Sequence, residues 1–312
     1  MKTGLGESYD KVQFLNKKTR AYIDLTKPIS SVGAGIAFLL ASVFYFYYTG
    51  QQHLIPDYYM DIIYASATIL FAHSASQVMN QAEDAEMDSE TEHKQNRPIP
   101  AGIVSVDEAR SLAWILSAFA FARAFMVHWQ FGIMVSIMLG MGIFYNLNPI
   151  RAKERIISIP WQAVSRGLLP FPTVWSAFGN PLDPTPWALG VFMFFYVLGF
   201  QNSADILDRH VDEKYGVRTF VVEFGVRGTT NIALACMFAM VLSLGGAIEF
   251  ELLPYDYVWM LSVMPFTVVM WLHMRLNPYT VSERTGNHPA WAWFYFGLVL
   301  CVLTPLIIEV LG

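Results

Sequence analysis

Residues 80–102 read NQAEDAEMDSETEHKQNRPIPAG, and the apolar run YASATILFAHSASQVM at 64–79 leads straight into them. A solvated surface helix has no need of that oily lead-in, and a simple membrane anchor has no need of the acids. Asn80, Asp84 and Asp88 are spaced by four. Each step of four on a helix advances about 400°, so the three side chains drift only about 40° apart per step and form one stripe. The stripe closes an apolar segment and is followed by Lys94, Arg97, Pro98 and Pro100.

The chain around this stretch has 312 residues, 54% hydrophobic and only 14% charged, with a mean hydropathy of +0.39. Soluble domains are about a quarter charged, so the composition points to the membrane. Nine segments are long enough to cross about 30 Å of hydrocarbon at about 1.5 Å per residue. They are expected near 29–49, 60–80, 111–128, 130–148, 161–178, 187–204, 229–248, 256–274 and 290–311, the third and fourth parted by a tight turn around Trp129 and Gly132. Backbone groups in lipid must be satisfied internally, so spans rich in Ala, Leu, Phe and Met read as helices, and the fold class is all-α.

The basic residues orient the chain. Of the 20 Lys and Arg, 18 fall before the first span or in loops on the same side as residues 80–102. The opposite loops GQQHLIPD, GNPLDPTP and EFELLPYD carry none. The positive-inside rule then places a polar segment 1–28 and the basic loops in the cytoplasm, and the C-terminus outside. Residues 29–312 form one nine-helix domain in the cell membrane, with its basic face against lipid headgroups. No secretory signal precedes the first span. Cys236 and Cys301 stand alone in apolar runs and imply no disulfide or thiolate metal site. The net charge of −5 says little by itself; no P-loop pattern appears, so a nucleoside triphosphate is not the obvious ligand, and no nucleic-acid partner is expected.

SADILDRHVD at 203–212 supplies a second ladder, Asp205, Asp208 and Asp212, at the end of the sixth span. Both ladders follow an apolar span and precede a basic loop, a weak internal repeat. Carboxylates converging from two helix ends repel one another unless cations stand between them. Mg²⁺ takes oxygen ligands and is held by a few carboxylates together with substrate phosphates. Lys94, Arg97, Arg151, Lys153, Lys214 and Arg218 supply the other half of a diphosphate cradle. One such ladder is more often a solvated acidic turn; two of matching polarity favour function.

These motifs resemble those of the UbiA-type intramembrane prenyltransferase superfamily, which has nine membrane helices and two aspartate-rich motifs. NQAEDAEMD is similar to the family's NDxxDxxxD but has Gln81 for its first aspartate. Asp205, Asp208 and Asp212 match DxxDxxxD in full. RPIPAG at 97–102 and YNLNPIRAK at 145–153 agree as well, and Lys27 in LTKPIS replaces an arginine often found there. The resemblance covers essentially the whole chain. It implies Mg²⁺ held by Asn80, Asp84, Asp88, Asp205, Asp208 and Asp212, gripping an isoprenyl diphosphate. Lys94, Arg97, Lys153, Lys214 and Arg218 would bind the diphosphate, with Tyr145 facing it or the allylic cation. The acceptor is implied to be an aromatic quinone precursor, a tetrapyrrole or a glycerol-phosphate lipid.

Other readings stand beside this one. Tyr145 also suits an aromatic belt, and His73 a packed core histidine; His93 and His210 lie beside the ladders. Arg166 and Arg123 are costly if they face lipid, so each is expected to snorkel or face a cavity. A cation transporter built on the paired acidic ends is the alternative function, although transporters favour mid-span charge. A soluble prenyl synthase is opposed by the apolar spans.

Overall fold

A computed structural model describes residues 16–91, 94–282 and 288–311. Lys2, Lys11, His93, Arg284 and residues 1–15 of the expected N-terminal segment lie outside the described residues. Every regular element among the described residues is helical. In chain order these are α1 (Lys17–Leu25), α2 (Pro28–Tyr48), α3 (Ile55–Glu83), α4 (Ala85–Glu90), α5 (Val106–Val127), α6 (Trp129–Asn146) and α7 (Ser158–Ala163). There follow α8 (Pro170–Phe178), α9 (Pro184–Phe200), α10 (Asp205–Tyr215), α11 (Phe220–Glu249), α12 (Met264–Leu276) and α13 (Ala290–Leu311).

Local chemistry sets the boundaries. Proline occupies the first turn of α2, α3, α8, α9 and α12, where no helical partner for its missing N–H is needed. Ser105 and Glu108 form a reciprocal capping box at α5. The expected turn between the third and fourth spans falls at His128, which is extended at φ −159°. The following helix packs so closely there that a Cβ on Gly132 would lie 2.5 Å from Phe125.

Among the described residues seven helical stretches are long and apolar enough to cross a membrane, rising to eight if α9 and α10 are counted as one bent span. The protein is an integral membrane protein. Large apolar side chains such as Met126, Phe238 and Leu242 are exposed on its outside, as a lipid environment requires. Inside, Phe44 packs against Phe171 and Trp175 with ring centroids 6.0 and 5.7 Å away, and the Tyr45 hydroxyl donates to the Phe178 carbonyl at 3.0 Å.

The fifth expected span, 161–178, is not one continuous helix. It consists of α7, a π turn at Val164–Leu168, and α8. Pro170 and Pro172 have no N–H to offer the carbonyls four residues earlier, and the turn widens so that the Leu169 amide donates to the Val164 carbonyl at 3.0 Å. The broken run lies against α9 backbone to backbone. A Cβ on Gly190 would lie 2.3 Å from the Leu168 carbonyl oxygen, and one on Gly167 would lie 2.7 Å from Phe194 Cα. The first acidic ladder differs from the single stripe expected: Asp84 sits at the break between α3 and α4 with φ −97° and ψ 4°. The second lies within the one helix α10, which follows a 70° bend after the 3-10 turn Gln201–Ser203.

Gly190→Ala is therefore expected to lower stability by about 1–3 kcal/mol through overpacking against a backbone that cannot yield. Gly245→Ala, where a Cβ meets nothing within 4 Å, is expected to be neutral or slightly stabilising. Melting temperatures in detergent compare the two variants directly. An equal response would remove the close approach as the reason for glycine at 190.

Candidate active site

The two acidic ladders meet. In the first, Asn80 in the last turn of α3 donates from Nδ2 to Asp84 Oδ2 at 2.8 Å and to Asn146 Oδ1 at 3.3 Å. Lys153, from the 3-10 turn after α6, donates from Nζ to Asp84 Oδ1 at 2.5 Å. Arg97 donates from a terminal nitrogen to Asp88 Oδ2 at 2.5 Å. The Lys94 ammonium joins the motifs, standing 3.9 Å from Asp88 Oδ1 and 2.7 Å from Asp208 Oδ2. Asp205 and Asp208 occupy the first turn of α10, where the helix dipole favours negative charge, and Gly216 ends that helix in the left-handed region at φ +70°.

Burial makes these carboxylates unusual. Asp88 is 1% exposed and Asp212 5%. Desolvation raises the Asp88 carboxyl above its ordinary range even though Arg97 and Lys94 pull the other way. Burial, then the negative charge of Asp208, pushes Asp212 up to about 7. Asp88 Oδ1 and Asp205 Oδ2 are buried and accept no hydrogen bond among the described residues. Among those residues no three His, Cys, Asp or Glu side chains are gathered into a ready-made metal site; ammonium and guanidinium groups stand between the acids instead. The donor set is nonetheless all oxygen and carries buried acceptors with capacity to spare, the chemistry that suits Mg²⁺. Asn80, Asp84, Asp88, Asp205, Asp208 and Asp212 are the residues that could hold it.

Other expected site residues are placed differently. Lys214 pairs with Glu90 and is 63% exposed, and Arg218 pairs with Glu223 at 2.5 Å and is 62% exposed. The Tyr145 hydroxyl lies 3.3 Å from Ser158 Oγ and accepts from Gln162 Nε2 at 2.9 Å. Gln81, where the family pattern has an acid, is buried and donates to the Leu25 carbonyl at 2.7 Å. An ionised carboxylate could not make that bond, so Gln81 fastens α1 to α3. His73 lies 2.9 Å from Ser30 Oγ and 3.1 Å from Gln77 Nε2. Arg123 lies over the Tyr64 ring at 3.6 Å and donates to the Tyr64 carbonyl.

Three polar residues went unnoticed in the sequence. Gln201, Asn202 and Ser203 are buried just before Asp205, and Oε1, Oδ1 and Oγ of the three find no hydrogen-bond partner among the described residues. Their only signal was three consecutive polar residues closing an apolar span. Lys27 stands in LTKPIS, where the family often has arginine. It begins α2 in the left-handed region at φ 46°, and desolvation with the positive charges of Arg97 and Arg166 lowers it to about 7.

The sequence profile of the UbiA prenyltransferase family matches residues 36–298. The chain belongs to that family. It is 28% identical over 223 residues to digeranylgeranylglyceryl phosphate synthase of Methanoregula boonei, covering 70% of this chain and 73% of that one. It is 24% identical over 181 residues to 4-hydroxybenzoate octaprenyltransferase of Aliivibrio fischeri, matching 58% of this chain and spanning 61% of the relative's length. The structure of a UbiA homolog from Archaeoglobus fulgidus bound to DMAPP and Mg²⁺ superposes with a TM-score of 0.64 at 17% identity, over 93% of this chain and 99% of that one. At that identity the likeness is one of fold.

The raised carboxyl of Asp212 has a consequence for pH. An aspartate in an unfolded chain ionises near about 3.9. Ionising Asp212 in the fold therefore costs stability, increasingly as pH rises from about 4 to about 7 and fully above that. A divalent cation bound there removes the cost. Mg²⁺ is thus expected to raise the melting temperature more at about pH 8 than at about pH 5.5. Asp212→Asn should flatten that difference, and an equal shift at both pH values in the unmodified protein would contradict the assignment.

Proposed function

We propose that the protein transfers an isoprenyl group from an isoprenyl diphosphate to a hydrophobic acceptor within the membrane, with Mg²⁺ as cofactor. The observation that carries this reading is the Lys94 ammonium touching Asp88 of one motif and Asp208 of the other. Family membership, and the DMAPP and Mg²⁺ named for the A. fulgidus homolog, support it. Asp84, Asp88 and Asp208 are paired with fixed cations, an arrangement for seating a polyanion rather than conducting a cation. The reaction breaks the allylic C–O bond, leaves the electron pair on diphosphate, and forms a bond from an electron pair of the acceptor, which gives up a proton.

When bound, Mg²⁺ supplies Lewis-acid neutralisation of the departing diphosphate. Asp84, Asp88, Asp205, Asp208 and Asp212, with Asn80, orient that end of the substrate. Lys94, Arg97 and Lys153 exchange their carboxylate partners for phosphate oxygens and stabilise charge as it develops. Lys214 and Arg218, exposed and paired with acids of their own, form an outer ring that draws an anionic substrate inward. Tyr145, held by Ser158 and Gln162, flanks the reacting carbon with its ring. A small, mainly apolar cleft whose lining includes Ala72, Ala75, Ser76, Met79, Leu139 and Ile143 begins one residue before Asn80, on the side from which a prenyl chain would leave the aspartates.

We further place the domain at 29–312, with Ser158–Phe178 as a broken fifth crossing among nine. The N-terminal segment and both acidic motifs lie in the cytoplasm and the C-terminus outside, and the clustering of basic residues supports that orientation.

Asp84→Ala and Asp208→Ala are expected to abolish Mg²⁺-dependent diphosphate release, and Asp84→Ala also to lower the melting temperature, because it leaves the buried Lys153 ammonium unpaired. Arg97→Ala should lower kcat/KM for the diphosphate substrate about ten- to a hundredfold, whereas Arg218→Ala should cost only about threefold, as loss of a steering charge does. Release assayed over a series of isoprenyl diphosphates measures all four. Near-normal turnover in either aspartate variant would defeat the reading.

A further inference from the structure

Arg123 is a cation set in the outer wall of the bundle, away from the acidic motifs. It stands five residues before His128, the cap that ends α5, and its guanidinium lies against α3. The group stacks on the Tyr64 ring at 3.6 Å, with the rings of Phe119 and Phe71 at 5.3 and 5.7 Å. Nε donates to Thr68 Oγ1 at 3.3 Å, and one terminal nitrogen donates to the Tyr64 carbonyl at 3.1 Å. A guanidinium has five N–H donors, so these contacts leave three, and no carboxylate pairs with Arg123 among the described residues. Phe119 and Met126 on α5 and Ile63 on α3 are exposed, and Arg123 itself is half-buried. The spare donors therefore open onto the lipid side, where hydrocarbon tails offer no acceptor.

A second charge stands on the same face. Asp57, Asp61, Tyr64 and Thr68 are spaced i, i+4, i+7, i+11 and share a stripe about 60° wide on α3. Asp57 occupies the first turn of α3, where the helix dipole favours an acid. Asp61 lies beyond that turn, is exposed, and pairs with no cation among the described residues; the loops at this end of the bundle hold no Lys or Arg. It precedes Asn80 by nineteen residues, about 28 Å of helix and close to the thickness of the hydrocarbon. With Asn80 at one headgroup level, Asp61 stands at the other, and Tyr64 lies about 4.5 Å deeper. A cation below an anion, one turn apart, is the complement of a headgroup whose phosphate lies below its ammonium. We propose that the α3–α5 face binds one phospholipid with a primary-amine headgroup, in the leaflet opposite the acidic motifs. Its phosphate takes the free edge of the Arg123 fork, and its ammonium donates to Asp61. A quaternary ammonium has no N–H to give Asp61, and a headgroup of net negative charge is repelled by it.

The test is native mass spectrometry of the full chain in detergent, titrated with one lipid at a time. The probes are dioleoyl phosphatidylethanolamine, phosphatidylcholine and phosphatidylglycerol, and the proteins are the unmodified chain, Arg123→Gln and Asp61→Asn. Melting temperatures in phosphatidylcholine nanodiscs check each fold. The unmodified protein is expected to bind its first phosphatidylethanolamine about ten- to a hundredfold more tightly than either other lipid. Arg123→Gln should bring that lipid within about threefold of phosphatidylcholine. Asp61→Asn should keep the unmodified melting temperature and bind phosphatidylglycerol at least as tightly as phosphatidylethanolamine. Asp61 is exposed and unpaired among the described residues, so this variant decides the matter even where Arg123→Gln melts early. Equal affinity of the unmodified protein for the three lipids would mean that water alone solvates the guanidinium, and would overturn the proposal. A preference for phosphatidylglycerol in the unmodified protein, or a phosphatidylethanolamine preference that survives either substitution, would overturn it as well.

Discussion

Five aspartates brought to one place by two helix ends would push each other apart, and the structure is organised around preventing that. Lys94 stands between the motifs, Arg97 holds Asp88, and Lys153 reaches from beyond α6 to Asp84. These contacts tie together segments far apart in the chain: the loop after α4, the turn after α6 and the helix after α9. Burial strengthens each attraction but also penalises every charge left over. The arrangement is therefore poised. Its cations hold Asp84, Asp88 and Asp208 and would be available to phosphate oxygens once a metal takes those carboxylates.

The helices that carry this charge are broken where it is needed. A continuous α3 would carry Asp88 onward along the same axis; the break at Asp84 separates the two acids into different local frames. The bend after α9 turns Asp205, Asp208 and Asp212 away from the span's direction. The π turn in the fifth segment carries Arg166. Close glycine contacts at 167 and 190 let this irregular segment lie against a regular neighbour without opening a gap. Irregular backbone inside a membrane protein is tolerated where neighbouring segments bury it or it lines a cavity.

Much of this was legible in the sequence because two signals are strong. Apolar runs such as 290–311 and 229–248 announce helices by length alone, and α13 and α11 contain them. The spacing of Asp84, Asp88, Asp205, Asp208 and Asp212 made them candidates before any geometry was known. What escaped was local. Hydrophobicity does not distinguish a straight span from α7, a π turn and α8 in succession, because the lost hydrogen bonds depend on which carbonyls Pro170 and Pro172 leave free. Charge counting grouped Lys214 and Arg218 with Lys94 and Arg97, yet the first two are exposed and pair with Glu90 and Glu223, outside the motifs. Gln81 looked like a lost ligand and is a tether to Leu25. Such distinctions are set by tertiary neighbours rather than by residue type.

The central claim is that the two motifs grip one ligand. A double-mutant cycle tests it most directly, using Asp84→Asn, Asp208→Asn and the pair, with Mg²⁺-dependent binding of an isoprenyl thiodiphosphate as the readout. Residues sharing one site are non-additive, so the pair should cost less than the two single losses together by about 1 kcal/mol or more. Losses that add within about 0.5 kcal/mol would mean that the motifs act as separate sites, and the account would be wrong.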